Sequence, residues 1–181
     1  KTDIGKEIRK AFIPQEDKFF IYSFDYSQIE LRILTHFTNE SELLKAFNNN
    51  EDIHLRTAAL IFDINEEDVD FTKRQIAKTI NYSILYGAGP FRISQELKIP
   101  IKDASEIIKN YFTSYSKIKD YIESTIKFGE KYGFVKTLNG RQRKVSNIYS
   151  SNKNVVEAEK RAMINMPIQG TAAELVKIAM I

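Results

Sequence analysis

The sequence predicts an α+β protein that is rich in helix and carries a few short strands towards its two ends. Residues 19–24 form an apolar, aromatic run with the length and composition of a buried strand. Asn139-Gly140 lies between two further strand-like runs, which is the strongest short-range signal for a hairpin. Between these regions, residues 29–132 read as a series of helices separated by breaks. This order indicates a helical lobe inserted into a small sheet domain.

The predicted elements follow one another with short connections. A basic, amphipathic stretch at 4–13 is closed by Pro14 and precedes the strand. Pro167 is expected to end or kink a helix at 154–166, and a capping box at 171–174 would open a last helix. The other helices are predicted at about 29–37, 41–47, 52–62 (with Asp52 as a candidate cap), 72–85, 91–97 and 102–132 (interrupted near 113–114), and the hairpin strands at about 134–138 and 141–145.

The composition is ordinary for a globular protein, since 43% of the 181 residues are hydrophobic and 28% are charged. The chain has no cysteine and two histidines. Disulfides are therefore excluded and a classical zinc site is improbable, whereas a carboxylate site for a hard metal stays open. The net charge of +3 and the pI of about 8.9 are compatible with a nucleic-acid partner but do not identify one.

Neither a membrane span nor a targeting segment is expected. No apolar run is long enough to cross a membrane, and the N-terminal residues do not resemble a signal peptide. Residues 172–181 read as a helix that stops without a glycine, asparagine or proline. We therefore expect a fragment of a longer protein.

The most informative stretch is the segment 24–32, which directly follows the predicted strand. A strand that ends in Asp25 would hold this carboxylate rigidly at the rim of a sheet. An ordinary interpretation is that Asp25 caps the following helix, because aspartate is favoured at N-caps. Gln28, Glu30 and Arg32 add three more polar groups to the same turn, although a cap needs only one. The segment is therefore a candidate functional site.

A second constellation lies on the predicted helix at 72–85. Arg74, Lys78, Tyr82 and Tyr86 occur at every fourth position, and such positions drift by only about 40° per step around a helix, so they form one stripe. Two cations one turn apart repel each other slightly. The stripe could be a solvated basic face with two tyrosines packed below it. It could also be an anion clamp beside an aromatic platform, which is the combination that a nucleoside triphosphate needs.

A third constellation lies near the end of the chain. Arg161 and Asn165 share a helical face, and Gln169 extends their spacing, although Pro167 makes its phase insecure. Small polar groups beside an arginine suit the minor groove of DNA, whose readout is nearly independent of sequence. A polar helix face is the ordinary alternative. His54, considered alone, is more often a core or surface histidine than a ligand-binding one.

The run Asp-Tyr-Ser-Gln-Ile-Glu-Leu-Arg at 25–32 resembles motif A of the family A DNA polymerases, the bacterial DNA polymerase I group. The run Arg-x3-Lys-x3-Tyr-x3-Tyr-Gly at 74–87 is similar to motif B, on the fingers helix that closes over the incoming nucleotide. The Asp-Ile-His segment at 52–54 and the Thr-Leu-Asn-Gly-Arg-Gln-Arg hairpin at 137–143 also resemble the family. The resemblance covers essentially the whole chain and implies the right-hand polymerase fold.

The resemblance implies that the chain binds deoxynucleoside triphosphates (dNTPs). Arg74 and Lys78 would hold the triphosphate, and Lys78 would also protonate the pyrophosphate leaving group. Tyr82 would stack on the sugar and base, and Tyr86 would lie near the templating position beside Glu30. Glu30 would be the steric gate that excludes a ribose 2′-hydroxyl, although it could also be an ordinary surface glutamate. The other implied nucleotide contacts are Gln28 and His54.

The resemblance also implies two-metal chemistry. Asp25, helped by the Tyr26 carbonyl, would bind two Mg²⁺ ions that activate the primer 3′-hydroxyl and stabilise the departing pyrophosphate. The family's motif C, a His-Asp-Glu turn with the second metal-binding carboxylate, is absent from the sequence. We therefore expect that this chain alone does not polymerise DNA.

The implied nucleic-acid partner is primer–template DNA. Arg161, Asn165 and Gln169 would contact its minor groove near the growing end, and Arg141 and Arg143 would contact its backbone. Such an enzyme would act as a monomer in replication and repair, without a membrane partner. Its expected location is the cytoplasm of a bacterium at the nucleoid, with an organelle as the alternative.

The implied organisation is a truncated palm-and-fingers unit. Residues 1–40 and 134–181 would belong to the palm, and residues 41–133 would form the helical fingers lobe. The alternative class is a non-catalytic module that binds nucleotides or DNA. A helical structural domain with a solvated basic face is a third option, but it does not explain why three polar constellations occur together.

Overall fold

The computed structural model describes residues 3–16 and 18–181, and in this part of the chain helices dominate. The helices predicted between residues 29 and 132 are confirmed, with the break between α7 and α8 where it was expected. The helices are α1 (Asp3–Lys10), α2 (Ile29–Thr38), α3 (Ser41–Asn48), α4 (Ile53–Phe62), α5 (Phe71–Leu85), α6 (Pro90–Leu97), α7 (Ile101–Ser114), α8 (Ser116–Tyr132) and α9 (Lys153–Ala179), with a 3₁₀ turn at Glu66–Asp68.

Side-chain caps fix the starts of the two helices that carry the stripe and the Asp-Ile-His segment. The Asp52 carboxylate accepts hydrogen bonds from the backbone N–H groups of His54 (3.0 Å) and Leu55 (3.1 Å), which confirms Asp52 as the cap of α4. Asp70 accepts from the backbone N–H of Lys73 (2.7 Å) at the start of α5. Each cap satisfies donors that the first helical turn leaves unpaired.

The predicted hairpin is confirmed as the antiparallel pair β1 (Phe134–Lys136) and β2 (Gln142–Lys144). The backbone N–H of Thr137 donates to Arg141 O (2.9 Å), so the connection is a three-residue loop. Gly140 has a φ of 89°, and its N–H donates to Thr137 O (3.0 Å). A glycine in the left-handed region after a tight turn is the usual end of such a loop.

The strand predicted at 19–24 is not formed. The described residues of this run have no regular secondary structure, and their side chains are exposed, Phe24 by 92%. A strand needs a neighbour that pairs with its backbone N–H and C=O groups. Among the described residues, β1 and β2 pair only with each other, so the aromatic run has no strand beside it.

The division of the last helical region at Pro167 is also wrong, because α9 continues through this proline as a single helix. Thr171 does not cap a new helix. Its hydroxyl donates to Pro167 O (2.5 Å) and accepts from the backbone N–H of Leu138 in the hairpin (3.0 Å). An internal proline costs about 3 kcal/mol. Burial of Met163, Ile168 and Pro167 itself offsets this cost.

Two hydrophobic cores hold the elements together. The larger core contains side chains from every helix from α2 through α8 and from the C-terminal half of α9. Its most buried side chains include Leu31, Ile80 and Ile168. The smaller core joins the hairpin to α9 through Val135 and Met163. Because α9 contributes to both cores, it places the hairpin beside the helical cluster. Among the described residues, no helix combines the length and apolar character that crossing a bilayer requires.

Candidate active site

The turn before α2 presents an unpaired carboxylate. Asp25 is exposed and makes no hydrogen bond or ion pair with the described residues. It does not cap α2, because the N-cap position belongs to Gln28, which has a φ of 54°. A left-handed conformation is uncommon for glutamine and shows that this turn is constrained. Arg32 stabilises the turn, since its Nε donates to Ser27 O (3.0 Å).

Three elements meet at Tyr86, directly after α5. The Tyr86 hydroxyl donates to Glu30 Oε2 on α2 (2.7 Å), which brings together the two residues that were expected to lie side by side. Burial, followed by this hydrogen bond and the Glu30 charge, raises the pKa of Tyr86 to about 12, while a hydrogen bond from Gln169 on α9 acts in the opposite direction. One tyrosine therefore links all three sequence constellations.

Tyr82, which belongs to the stripe, is affected by the negative charge of Asp25. Tyr82 is half-buried, and its burial, followed by the negative charges of Glu30 and Asp25, raises its pKa above the usual value. Carboxylates affect a phenol in this way only when they lie near it. The Asp25 charge therefore acts on the aromatic part of the stripe, while Asp25 itself lines an opening beside the end of α9, with Val176 and Met180.

The two cations of the stripe differ in their surroundings. Arg74 Nε donates to Asp52 Oδ2 at 2.7 Å, so the cap of α4 is also an ion-pair partner of α5. Burial alone would raise the pKa of Asp52, but the Arg74 hydrogen bond and the two N–H groups of α4 outweigh it and lower that pKa. Lys78 is exposed and has no hydrogen-bond or ion-pair partner among the described residues. The stripe therefore presents one anchored cation and one unpaired cation.

An opening of about 320 Å³ separates the turn before α2 from the start of α5. Gln28 lines it on one side and Arg74 on the other. The remaining lining residues are Ser27, Arg32, Phe47, Asn50, Glu51 and Asp52. Most of these side chains are polar, as a site for a charged ligand requires.

His54 lies behind the stripe and is only 3% exposed. The Asn81 side-chain amide lies 3.1 Å from His54 Nδ1, and the rings of His54 and Tyr82 are 5.9 Å apart. Burial lowers the pKa of His54 below its usual value; the charges of Arg74 and Lys78 act in the same direction, and Asp52 opposes them. The imidazole is thus neutral near pH 7. Its burial matches the ordinary interpretation of a core histidine, and its role in nucleotide binding stays a prediction.

A groove of about 610 Å³ lies along α9 and the hairpin. It is lined by all five side chains that were predicted to contact DNA, namely Arg141, Arg143, Arg161, Asn165 and Gln169. Continuity of α9 through the proline explains why Gln169 stays in phase with the other two residues of that helix. The groove therefore brings three arginines and two amide side chains together, with small apolar residues of α9 between them.

Carboxylates on α9 hold the two hairpin arginines in place. Arg143 Nη1 lies 2.6 Å from Glu159 Oε1, and Glu159 is only 4% exposed. The Arg143 hydrogen bond lowers the pKa of Glu159, which outweighs the effect of burial. Arg141 Nε lies 3.2 Å from Glu174 Oε1. These two acids were not foreseen, because nothing in the sequence near them indicates their partners.

Gly87 couples the end of α5 to α9. Its φ is +69°, and a Cβ built on it would lie 2.8 Å from Arg161 Cγ. An L-residue would be strained in this conformation and would also displace the arginine. The backbone after Tyr86 and the groove-lining Arg161 are therefore held in one fixed relation.

Gly87→Ala is expected to lower the free energy of unfolding by about 2 to 4 kcal/mol, combining backbone strain with displacement of Arg161. Urea denaturation measures this loss. Gly133→Ala is the matched control, because Gly133 has a φ of +74° but open space around its Cβ position. Equal losses in the two variants would contradict the close packing against Arg161.

The chemistry of the donors at the turn fits a hard metal ion. Among residues 3–16 and 18–181, no three His, Cys, Asp or Glu side chains form a group that could enclose a metal. Asp25 and the Tyr26 carbonyl are oxygen donors in an exposed turn. Mg²⁺ typically binds one or two carboxylates and takes its other ligands from water and phosphate. These donors therefore suit a metal that is shared with a phosphorylated ligand.

Comparison with known proteins gives one consistent result. A family model described as DNA polymerase family A matches residues 1–181. The thermostable DNA polymerase I of Thermus aquaticus is 44% identical over 181 residues, which are 100% of this chain and 22% of that protein. DNA polymerase I of Deinococcus radiodurans is 45% identical over the same length, which is 19% of that protein. The chain thus spans about a fifth of the length of these relatives.

A solved structure has the same fold. The POL domain of Pol1 from M. smegmatis, in complex with DNA primer-template and dNTP, superposes with a TM-score of 0.87 and 36% sequence identity. The match covers 99% of this chain and 32% of that chain. The helix-rich architecture with its small antiparallel sheet is therefore that of a polymerase domain.

Proposed function

Because the chain belongs to DNA polymerase family A, we propose that it forms the palm-and-fingers part of a template-directed DNA polymerase. Residues 1–40 and 134–181 belong to the palm in this proposal, and residues 41–133 form the fingers. The complete polymerase transfers nucleotides from dNTPs to a primer, acts in bacterial replication and repair at the nucleoid, and works as a monomer.

The observation that carries the proposal is the meeting of the three constellations at Tyr86. Glu30 and Gln169 come from helices that are far apart in sequence; Glu30 accepts a hydrogen bond from the Tyr86 hydroxyl (2.7 Å), and Gln169 is near enough to lower the pKa of the same hydroxyl. A solvated basic face would not need such contacts. A polymerase does need them, because it must hold the sugar, the base and the primer end within one small volume.

The stripe supports binding of the nucleotide. Lys78 offers an unpaired charge and Arg74 an anchored one, as the phosphates of a dNTP require. Tyr82 supplies a half-buried ring for the sugar and base. In the proposed mechanism, Lys78 donates the proton that the pyrophosphate leaving group takes up.

The Asp25 carboxylate and the Tyr26 carbonyl would hold the Mg²⁺ ions of the complete polymerase. When bound, these ions activate the primer 3′-hydroxyl and neutralise charge on the phosphates. Asp25 is suited to this role because no described residue competes for its oxygens. With one carboxylate at the turn, the 181-residue chain by itself is proposed to bind its ligands without extending a primer.

The groove along α9 is proposed to hold the primer–template. Arg161, Asn165 and Gln169 face the minor groove, where a polymerase must avoid distinguishing one sequence from another. Asn165 lines this groove between Arg161 and Gln169. Arg141 and Arg143 follow the backbone, and their ion pairs with α9 fix their positions beforehand.

Primer extension with dNTPs and ribonucleoside triphosphates tests the proposal. Glu30→Ala in the complete polymerase is expected to raise ribonucleotide incorporation about tenfold or more, because the carboxylate and its tyrosine partner no longer exclude the 2′-hydroxyl. Tyr86→Phe keeps the ring but removes the hydroxyl that holds Glu30, so a smaller rise is expected. Unchanged sugar selectivity in Glu30→Ala would remove the gate role, and a wild-type protein without extension activity would overturn the proposed function.

A further inference from the structure

A series of hydrogen-bonded, buried polar side chains lies behind the stripe and leads from the core to His54 of the candidate site. Its members are His54 (3% exposed) and Thr57 (0%) on α4, Asn81 (1%) on α5, and Tyr115 (0%) between α7 and α8. Asn81 Nδ2 lies 3.1 Å from His54 Nδ1 and 3.1 Å from Thr57 Oγ1, and Thr57 Oγ1 lies 3.0 Å from the Tyr115 hydroxyl. Buried polar groups linked in this way fix one another's orientation.

Thr57 determines the directions of these hydrogen bonds. Thr57 has one hydroxyl proton, and it donates this proton to Ile53 O (2.7 Å) in its own helix. Thr57 Oγ1 must therefore accept from both of its other neighbours, the Tyr115 hydroxyl and the Asn81 amide. Asn81 Oδ1 also lies 3.4 Å from Thr57 Oγ1, but the single Thr57 proton is engaged in the much shorter bond to Ile53 O. The Asn81 group that pairs with Thr57 is consequently the NH₂ group at 3.1 Å, and its second proton is directed at His54 Nδ1.

The Asn81 NH₂ group therefore makes His54 Nδ1 a hydrogen-bond acceptor. A neutral imidazole has one donor and one acceptor nitrogen, and a nitrogen that accepts from Asn81 carries no proton. The ring is neutral because burial and the charges of Arg74 and Lys78 disfavour its protonated form. The remaining proton therefore resides on Nε2.

We propose that Asn81, held by Thr57 and Tyr115, is a positioning residue that keeps His54 in the tautomer with its proton on Nε2. His54 then offers a fixed N–H donor, and not a lone pair, to the triphosphate of the nucleotide. That the ligand is a triphosphate rests on the proposed function, whereas the tautomer of His54 is a property of the protein without ligand. The hydrogen bonds from Tyr115 through Thr57 and Asn81 to His54, here called the relay, thereby determine which group His54 presents to its ligand.

Nitrogen-15 NMR of the histidine-labelled chain tests the tautomer without any nucleotide. At about pH 8.5, above the usual histidine range, the wild type is expected to show a protonated Nε2 and an unprotonated Nδ1 for His54. Asn81→Asp replaces the donor with an acceptor, so the proton should move to Nδ1. Asn110→Asp is the control, because Asn110 donates to Ile61 O (3.0 Å) outside the relay. A wild-type proton on Nδ1, or an unchanged tautomer in Asn81→Asp, would overturn the proposal.

Thr57→Val provides a second test that adds no charge and keeps the shape of the side chain. It removes the acceptor that orients Asn81, so both tautomers of His54 should appear and dNTP affinity should fall several-fold. Thr113→Val is its control, because the Thr113 hydroxyl makes the same kind of bond, to Lys109 O (2.9 Å), on the surface of α7. A single Nε2–H tautomer in Thr57→Val would contradict the relay. Failure of the wild type to bind any dNTP would count against the proposed function, and the NMR result would still decide the tautomer.

Discussion

Asp25→Ala in the complete polymerase is expected to lower primer extension by a factor of about a thousand or more. Metal stabilisation of a phosphoryl-transfer transition state contributes several kcal/mol, and each 1.4 kcal/mol corresponds to about tenfold in rate. Asp25 is exposed and unpaired among the described residues, so its removal should leave the fold intact. The free energy of unfolding should therefore change by less than about 0.5 kcal/mol.

Asp120→Ala is the matched control for this experiment. Asp120 is also exposed and has no hydrogen-bond or ion-pair partner in the described part of the chain, but it lies on α8, away from the turn. Extension by this variant should equal that of the wild type. An Asp25→Ala enzyme that retains wild-type activity would end the polymerase interpretation of the turn.

Lys78→Ala is expected to weaken dNTP binding by about ten- to a hundredfold. A hydrogen bond between a cation and a phosphate contributes about 1.5 to 3 kcal/mol. Lys78 has no described partner inside the protein, so the lost affinity would report on the ligand alone. Arg74→Ala should give a comparable loss, but it would also leave Asp52 without its 2.7 Å partner. Lys78→Ala is therefore the cleaner measurement.

Lys73→Ala is the control for the loss of a positive charge on α5. Lys73 lies on the same helix and is paired with Asp70 at 2.8 Å, so its removal should change dNTP affinity little. Titration of a fluorescent dNTP measures all three variants. If Lys78→Ala and Arg74→Ala bind as tightly as the wild type, the clamp is assigned to the wrong residues.

Local signals predicted most of the helical architecture. The cap at Asp52, the Asn-Gly turn and the break near 113–114 each act over a few residues, and the structure contains all three features. The regular spacing of the stripe likewise needs only the geometry of one helix. Such features are predictable because the residues that cause them are close together in sequence.

The two wrong predictions both concern effects that depend on distant residues. An aromatic run at 19–24 forms a strand only when another strand pairs with it, and its composition cannot show whether one is present. Pro167 usually ends a helix, but burial between the hairpin and the helical cluster keeps α9 continuous. In both cases tertiary packing, or its absence, outweighs local preference.

The site shows the same division between local and distant effects. The residues that contact ligands could be proposed from motif spacing, whereas their supporting partners could not. Glu159 and Glu174 look like ordinary acids on a helix, yet each fixes a groove arginine. Asn81 occupies a position in α5 where only the fold shows that it meets His54 and Thr57.

The relation between Asp25 and the cationic stripe is best tested by a crystal structure of the complete polymerase with primer–template, a dNTP and Mn²⁺. Anomalous scattering locates the manganese, and we expect it within coordination distance of Asp25, with the phosphates on Lys78 and Arg74. Manganese bound elsewhere, or a nucleotide that leaves the stripe uncovered, would contradict the account.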